Sequence, residues 1–213
     1  METLSEHEAM QLFQNEGIPV AEHRLATDED EAVEAAGDIG YPVFLKIDSG
    51  EVQHKTDIGA VMTAHDEEEV RKRFSLVRGN VEKAIPGADV EGILVEEKLE
   101  GHEMIVGVNR DAEFGPVIMF GLGGIFVEIL RDVNFRAVPI EERDARELVE
   151  DMESKKLLEG VRGQEPVDKD AIVDVLLKVS DLVESHPIEE LDINPLFVNS
   201  EGAYAADALV KMR

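Results

Sequence analysis

Gly40-Tyr41-Pro42-Val43-Phe44-Leu45-Lys46-Ile47-Asp48-Ser49-Gly50-Glu51-Val52-Gln53-His54-Lys55-Thr56-Asp57-Ile58-Gly59-Ala60-Val61-Met62-Thr63 is the stretch on which the reading of the chain turns. Gly40-Tyr41-Pro42 breaks the chain before Val43 to Ile47, an apolar run of strand length that carries one lysine, Lys46. A polar loop with Gly50 and Gly59 at its ends holds His54, Lys55, Thr56 and Asp57, and Ile58 to Met62 closes it as a second apolar segment. Two cations, a histidine and small residues between two strands suit phosphate chemistry.

Upstream, Ser5 with Glu8 three residues on has capping-box spacing, Ala9, Leu12 and Phe13 give one helical face, and Gly17 stops it. Thr27 or Asp28 caps a second helix that bears Ala32, Val33, Ala35 and Ala36. Downstream, Val70, Phe74, Val77 and Val81 predict an amphipathic helix over 66–85, ended by Pro86-Gly87. Val90 to Glu97 reads as a strand. Glu103 to Val108 and Pro116 to Phe120 read as two more, joined by a turn at Asn109-Arg110-Asp111. Gly121 to Gly124 reads as a flexible loop and Ile125 to Leu130 as a strand. Helices follow around Ala145 to Met152 and over about 168–185. Ile188 to Asp192, Leu196 to Val198 and Ala203 to Leu209 then read as strands. Strands outnumber helices without strict alternation, which predicts an α+β fold. The expected boundary lies near Val95: a small lobe over 17–94, and a larger one over 95–213 joined by the first helix, 1–16.

Forty-eight acids against 21 bases give a formal net charge of −27, which argues against nucleic acid or an anionic membrane as the main partner. The acids are spread along the chain, as expected of a surface kept hydrated at high salt; an ordinary acidic protein is the alternative. With no cysteine there is no disulfide framework and no thiolate metal site. No apolar run approaches a membrane span, and the acidic start, Met-Glu-Thr-Leu-Ser-Glu, lacks the pattern of a signal peptide. A cytoplasmic location is expected.

There is no Gly-x-x-x-x-Gly-Lys-Ser/Thr loop, and Gly121 to Gly124 does not match the dinucleotide fingerprint. Lys46 either projects from a half-covered sheet or aims a cation at phosphate from a rigid element. His54 is either an exposed loop histidine or a phosphoryl nucleophile, with Lys55 offsetting charge and Asp57 holding a ring nitrogen. Glu96, Glu97, Glu100 and Glu103 are either a solvated turn or, with main chain near Leu99, donors and acceptors for a nucleoside. Asp192-Ile193-Asn194-Pro195 and Asp207 are turn-formers or hard oxygen ligands suited to Mg²⁺. Glu128 and Arg131, at i and i+3, would face opposite sides of a regular strand.

Five stretches together resemble the ATP-grasp β subunits of the ADP-forming acyl-CoA synthetases, the acetate–CoA ligases (ADP-forming), relatives of the succinyl-CoA synthetase β subunit. They are Gly40 to Lys46, His54-Lys55-Thr56-Asp57-Ile58-Gly59, Phe114-Gly115-Pro116, Gly121 to Glu128, and Leu191-Asp192-Ile193-Asn194-Pro195-Leu196, in family order across nearly the whole chain. Ala60 stands where the family usually has a second glycine.

The resemblance implies an ATP-grasp fold of two lobes with nucleotide between them, binding ATP or ADP with Mg²⁺. By the same resemblance Lys46 and Lys55 meet phosphates, Glu96, Glu97 and Leu99 serve adenine, and Glu103 the ribose. Asn194 and Asp207 hold Mg²⁺, His54 is the transient phosphohistidine, and Glu128 and Arg131 orient groups near it. It further implies a CoA-binding α subunit as partner, in an α2β2-like hetro-oligomer. The reaction implied is acyl-CoA + ADP + phosphate ⇌ acid + CoA + ATP. The alternatives are a partner-independent ATP-grasp carboxylate ligase and a non-catalytic nucleotide-binding regulatory subunit.

Overall fold

A computed structural model describes residues 2–52, 54–124, 132–160 and 165–213. The chain divides into two compact units: 1–2, 9–20 and 100–213 form the first, and 3–8 and 21–99 the second.

The second unit is a four-stranded sheet under two helices. Strands β2 (His23–Ala26), β3 (Val43–Asp48), β4 (Val61–Ala64) and β5 (Gly92–Glu97) lie in the order β2-β5-β3-β4, and each neighbouring pair is antiparallel. Alternation sorts the faces. Val43, Leu45 and Ile47, with Ile93 and Val95, pack on helices α2 (Glu29–Ile39) and α3 (Glu67–Ala84). Phe44, Lys46 and Asp48, with Leu94 and Glu96, take the other face. Asp28 caps α2 through the N–H groups of Asp30 and Glu31, and Asp66 caps α3 through that of Glu69.

In the first unit, β6 (His102–Asp111), β7 (Gly115–Leu122), β8 (Val133–Ala137), β9 (Ile188–Val198), β10 (Ala203–Ala205) and β11 (Ala208–Met212) pair antiparallel. Among the described residues the sheet runs β1 (Glu2–Thr3), β11, β9, β6, β7, β8, with β10 added on β9. Val106, Val108, Ile118, Phe120, Leu191 and Ile193 are buried on one face, and helices α4 (Glu142–Glu150) and α5 (Lys169–Ser185) contribute Leu148, Leu176 and Val179 to the core. Helix α1 (Glu6–Asn15) opens with the expected capping box: Ser5 N–H donates to Glu8 and Glu8 N–H to the Ser5 hydroxyl. The division between units falls within α1, after Glu8.

The α+β expectation holds, and five boundaries move. The break between units falls after Leu99 and not near Val95, because β5 is an interior strand of the small sheet, paired on both sides. The hairpin turn lies beyond Asp111, whose carboxylate accepts the Glu113 and Phe114 N–H groups and starts the turn there. Gly121 and Leu122 are strand, not flexible loop: a Cβ on Gly121 would lie 2.4 Å from the Asp132 carbonyl oxygen, so glycine permits close approach of β8. Residues 188–198 form one strand instead of two, while 203–209 divides into β10 and β11 around Ala206-Asp207. The strand expected at 125–130, with Glu128 and Arg131, lies outside the described residues.

Candidate active site

In the second unit, Lys46 on β3 is 8% exposed. A lysine at that depth requires compensating charge. Its Nζ lies 2.9 Å from Glu6 Oε1 and 2.8 Å from Glu96 Oε1. Register explains the second contact, because Glu96 stands opposite Phe44 and therefore shares a face with Lys46. Glu6, at the start of α1, also forms an ion pair with Lys55 through Oε2. Burial pushes the Glu6 carboxyl up, but Lys46 and Lys55 together outweigh it and hold the group below the usual carboxylate range. Asp48, fully buried two residues beyond Lys46, accepts the His7 N–H at 3.0 Å and satisfies a donor in the first turn of α1.

Lys55 belongs to the His54 loop. His54 O accepts Asp57 N–H, Lys55 O accepts Ala60 N–H, and Gly59 O accepts the Asn80 side-chain amide at 2.9 Å. The His54 side chain is exposed and its φ is 52°, a left-handed conformation uncommon in a non-glycine residue and of the kind that clusters at functional sites. Among the described residues the imidazole has no hydrogen-bond partner. The expected contact from the Asp57 carboxylate to a ring nitrogen is not formed; Asp57 meets His54 through its main chain, donating its N–H to the His54 carbonyl.

The three expected adenine contacts fall into two environments. Glu96 is 1% exposed, and its carboxylate forms an ion pair with Lys46. Glu97 and Leu99 are half-buried, and Glu97 N–H donates to Glu22 O.

In the first unit, Glu103 is exposed on β6, and its carbonyl accepts Gly123 N–H at 2.8 Å. Asn194 on β9 is half-buried and Asp207 is exposed between β10 and β11. The pairings of Ala205 with Leu196 and Ala208 with Ile193 bracket the pair, so Asp207 runs alongside Asn194-Pro195. Asp192 joins them. Burial, then the charges of Asp207 and Glu190, push its carboxyl up to about 6. Its Oδ1 would be 3.4 Å from a Cβ at Gly107, the residue opposite it on β6. Among the described residues no three His, Cys, Asp or Glu side chains form a metal cage. The oxygen donors of Asn194 and Asp207, beside a carboxyl that resists ionisation, fit a hard cation that takes its remaining ligands from phosphate and water.

Locally, nothing sets Glu6 apart from Glu8, the other acid in the first turn of α1, and Asp192 stands out only as one of the oxygen donors of its motif. Glu6 could be found only from its partners, 40 and 49 residues away in sequence.

Residues 1–212 match the model of a family described as ATP-grasp domain. The chain is 45% identical, over 98% of its length and 91% of the relative's, to the acetate–CoA ligase (ADP-forming) II β subunit of Pyrococcus furiosus. A structure of the dinucleotide-forming acetyl-coenzyme A synthetase 1 of Ca. Korarchaeum cryptofilum, in complex with coenzyme A, Ca-AMPCP and HgCl⁺, superposes with a TM-score of 0.94 at 46% identity, covering 100% of this chain and 94% of that one. The same enzyme has been solved with a phosphorylated phosphohistidine segment in a site I orientation (TM-score 0.88, 44% identity, 100% and 94% covered). It has also been solved with Mg-AMPPCP and that segment pointing towards the nucleotide-binding site (TM-score 0.86, 41% identity, 100% and 93% covered). Fold, motif order and overall likeness agree: the chain belongs to the ATP-grasp family, among the β subunits of the ADP-forming acetate–CoA ligases.

Proposed function

We propose that this chain binds Mg-ADP or Mg-ATP and passes a phosphoryl group through His54, coupling cleavage of an acyl-CoA, acetyl-CoA foremost, to ATP synthesis. The observation that carries this reading is an exposed imidazole, held at a left-handed backbone position, directly before a lysine whose carboxylate partner it shares with Lys46. In the ATP-forming direction a ring nitrogen of His54 attacks phosphorus on a donor delivered by a CoA-binding partner subunit. A P–N bond forms as the donor's bond to phosphorus breaks. The β-phosphate oxygen of ADP then attacks the same phosphorus, the P–N bond breaks, and the imidazole is restored.

Lys46, fixed on a rigid strand, and Lys55, beside the nucleophile, neutralise charge on the phosphates. Glu97 and the main chain at Leu99 serve the adenine and Glu103 the ribose, while Glu96 holds Lys46. Asn194 and Asp207 would hold Mg²⁺, which supplies charge neutralisation at the phosphate oxygens. Glu128 and Arg131 are assigned to orienting groups near the phosphoryl group on family resemblance alone. The partner contributes CoA binding and acyl-phosphate chemistry, in a hetero-oligomer of α2β2 type. The dispersed charge of −27 supports work in a cytoplasm of high ionic strength.

The test is the complex of this chain with its CoA-binding partner. It should form ATP from acetyl-CoA, ADP and phosphate, and take acid-labile, base-stable label from radiolabelled ATP. His54→Asn should lose both activities while Mg-ADP still binds by calorimetry. Full ATP synthesis by that variant would defeat the relay.

A further inference from the structure

Glu6 is given no step in the reaction above, yet its carboxylate is the junction of the buried charges in the second unit. It is 3% exposed, and each oxygen takes a different lysine: Oε1 holds Lys46 at 2.9 Å and Oε2 holds Lys55. The two lysines depend on it unequally. Lys46 stands on β3 and has a second carboxylate, Glu96, at 2.8 Å. Lys55 stands in the loop directly after His54, and among the described residues Glu6 is its ion-pair partner. At the far end of the loop, Asn80 from α3 holds the Gly59 carbonyl. The tie nearest the imidazole is therefore Glu6–Lys55. Glu6 itself is well anchored: the Ser5–Glu8 capping box fixes the first turn of α1, and Asp48 takes the His7 N–H.

We propose that Glu6 is a positioning residue: through Lys55 it fixes the His54 segment beside Lys46, the lysine assigned to nucleotide phosphate, and loss of that tie frees the segment to leave. This rests on the phosphohistidine reading of His54. The related Korarchaeum enzyme shows its phosphohistidine segment in two orientations, so a segment of this kind needs a device that holds it at one station. A buried carboxylate shared by two lysines suits that task. A phosphoryl group on His54 adds negative charge beside Lys55 and competes with Glu6 for it, so loading the histidine weakens the tie. Lys46 keeps Glu96 throughout and stays in place for the nucleotide.

The experiment compares two half-reactions in the complex of the full chain with its CoA-binding partner. One is label transfer to His54 from ATP; the other is label transfer from acetyl-CoA plus labelled phosphate by way of the partner. Glu6→Gln, which keeps the shape and removes the charge, should slow the ATP-side half-reaction on the order of 10–100-fold, the scale of a misplaced reacting group. The partner-side half-reaction should stay within a few-fold, and nucleotide affinity should change little. Glu6→Asp should restore part of the ATP-side rate. If Glu6→Gln does not fold, Glu6→Asp, which keeps the charge and shortens the reach to Lys55, must show the same split at a smaller size. Lys55→Met cuts the same tie but also removes a cation assigned to phosphate, so it is read only against Glu6→Gln: the double variant should be no slower on the ATP side than Lys55→Met alone. Equal loss in both half-reactions, or no loss in either, overturns the proposal and leaves His54 as the relay. Absence of label at position 54 in the unsubstituted complex defeats the relay, and this inference with it.

Discussion

Two regions of the molecule handle buried charge in opposite ways. In the second unit, Lys46, Lys55, Glu6 and Glu96 form alternating charges, with each cation in contact with an anion. On the large sheet, Asp192 shares its neighbourhood with Asp207 and Glu190, and among the described residues no lysine or arginine lies within ion-pair distance of it. The Glu6 carboxyl is held down and the Asp192 carboxyl is pushed up to about 6. The first arrangement is balanced as it stands. The second is short of positive charge and gains from a cation.

The largest effect expected from breaking this contrast is at Lys46. Lys46→Met removes the cation that Glu6 and Glu96 share and should destabilise the protein by about 3–5 kcal/mol. Denaturant unfolding measures it; a loss below about 1 kcal/mol would mean that the pair is solvated like a surface one.

Asp192→Asn should act in the opposite direction. The folded-state pKa is raised from 3.8 to about 6. Below the unfolded value both states are protonated and there is no penalty. As pH rises towards 6 the unfolded chain loses its proton first, and stability falls. Above about 6 the cost is fully present, about 3 kcal/mol as an upper figure. In chelator, the variant should therefore be more stable than the parent at pH 7 and equal to it near pH 3.5. Equal stability at both pH values would show that Asp192 ionises normally.

The smallest effect per residue is spread over the surface. Pairs such as Arg146–Glu142 and Arg143–Glu147 are exposed and screened by solvent, so each contributes little. The unbalanced acids should dominate the salt response, so the melting temperature should climb from low to molar KCl. A flat profile would break the link between the charge of −27 and high-salt adaptation.

Much of the fold was readable because it follows from local rules. Val70, Phe74, Val77 and Val81 are the buried stripe of α3, and Val43, Leu45 and Ile47 alternate with Phe44, Lys46 and Asp48 on β3. The Ser5–Glu8 box forms as its spacing predicts. What local rules miss shares one cause. Gly121 looks flexible as a residue but lies in a strand, with β8 close against it. Glu96 sits in a run of acids that reads as a solvated turn or as nucleoside contacts, and only pairing with β3 puts it next to Lys46. No local pattern reports which strand will be the neighbour.

The chain's own order of residues settled the antiparallel α+β character, the main helices, the excess of acid, and the His54 and Asn194 motifs. These depend on periodicity, capping and composition, which act over a few residues or over the whole surface. Tertiary structure alone decided that Glu6 joins two lysines, that Glu96 belongs to Lys46, and that Asp192 lies among other acids with its proton held more tightly. Each of these is a consequence of residues distant in sequence meeting in a medium of low dielectric, where one neighbouring charge changes a group's energy more than its own chemistry does.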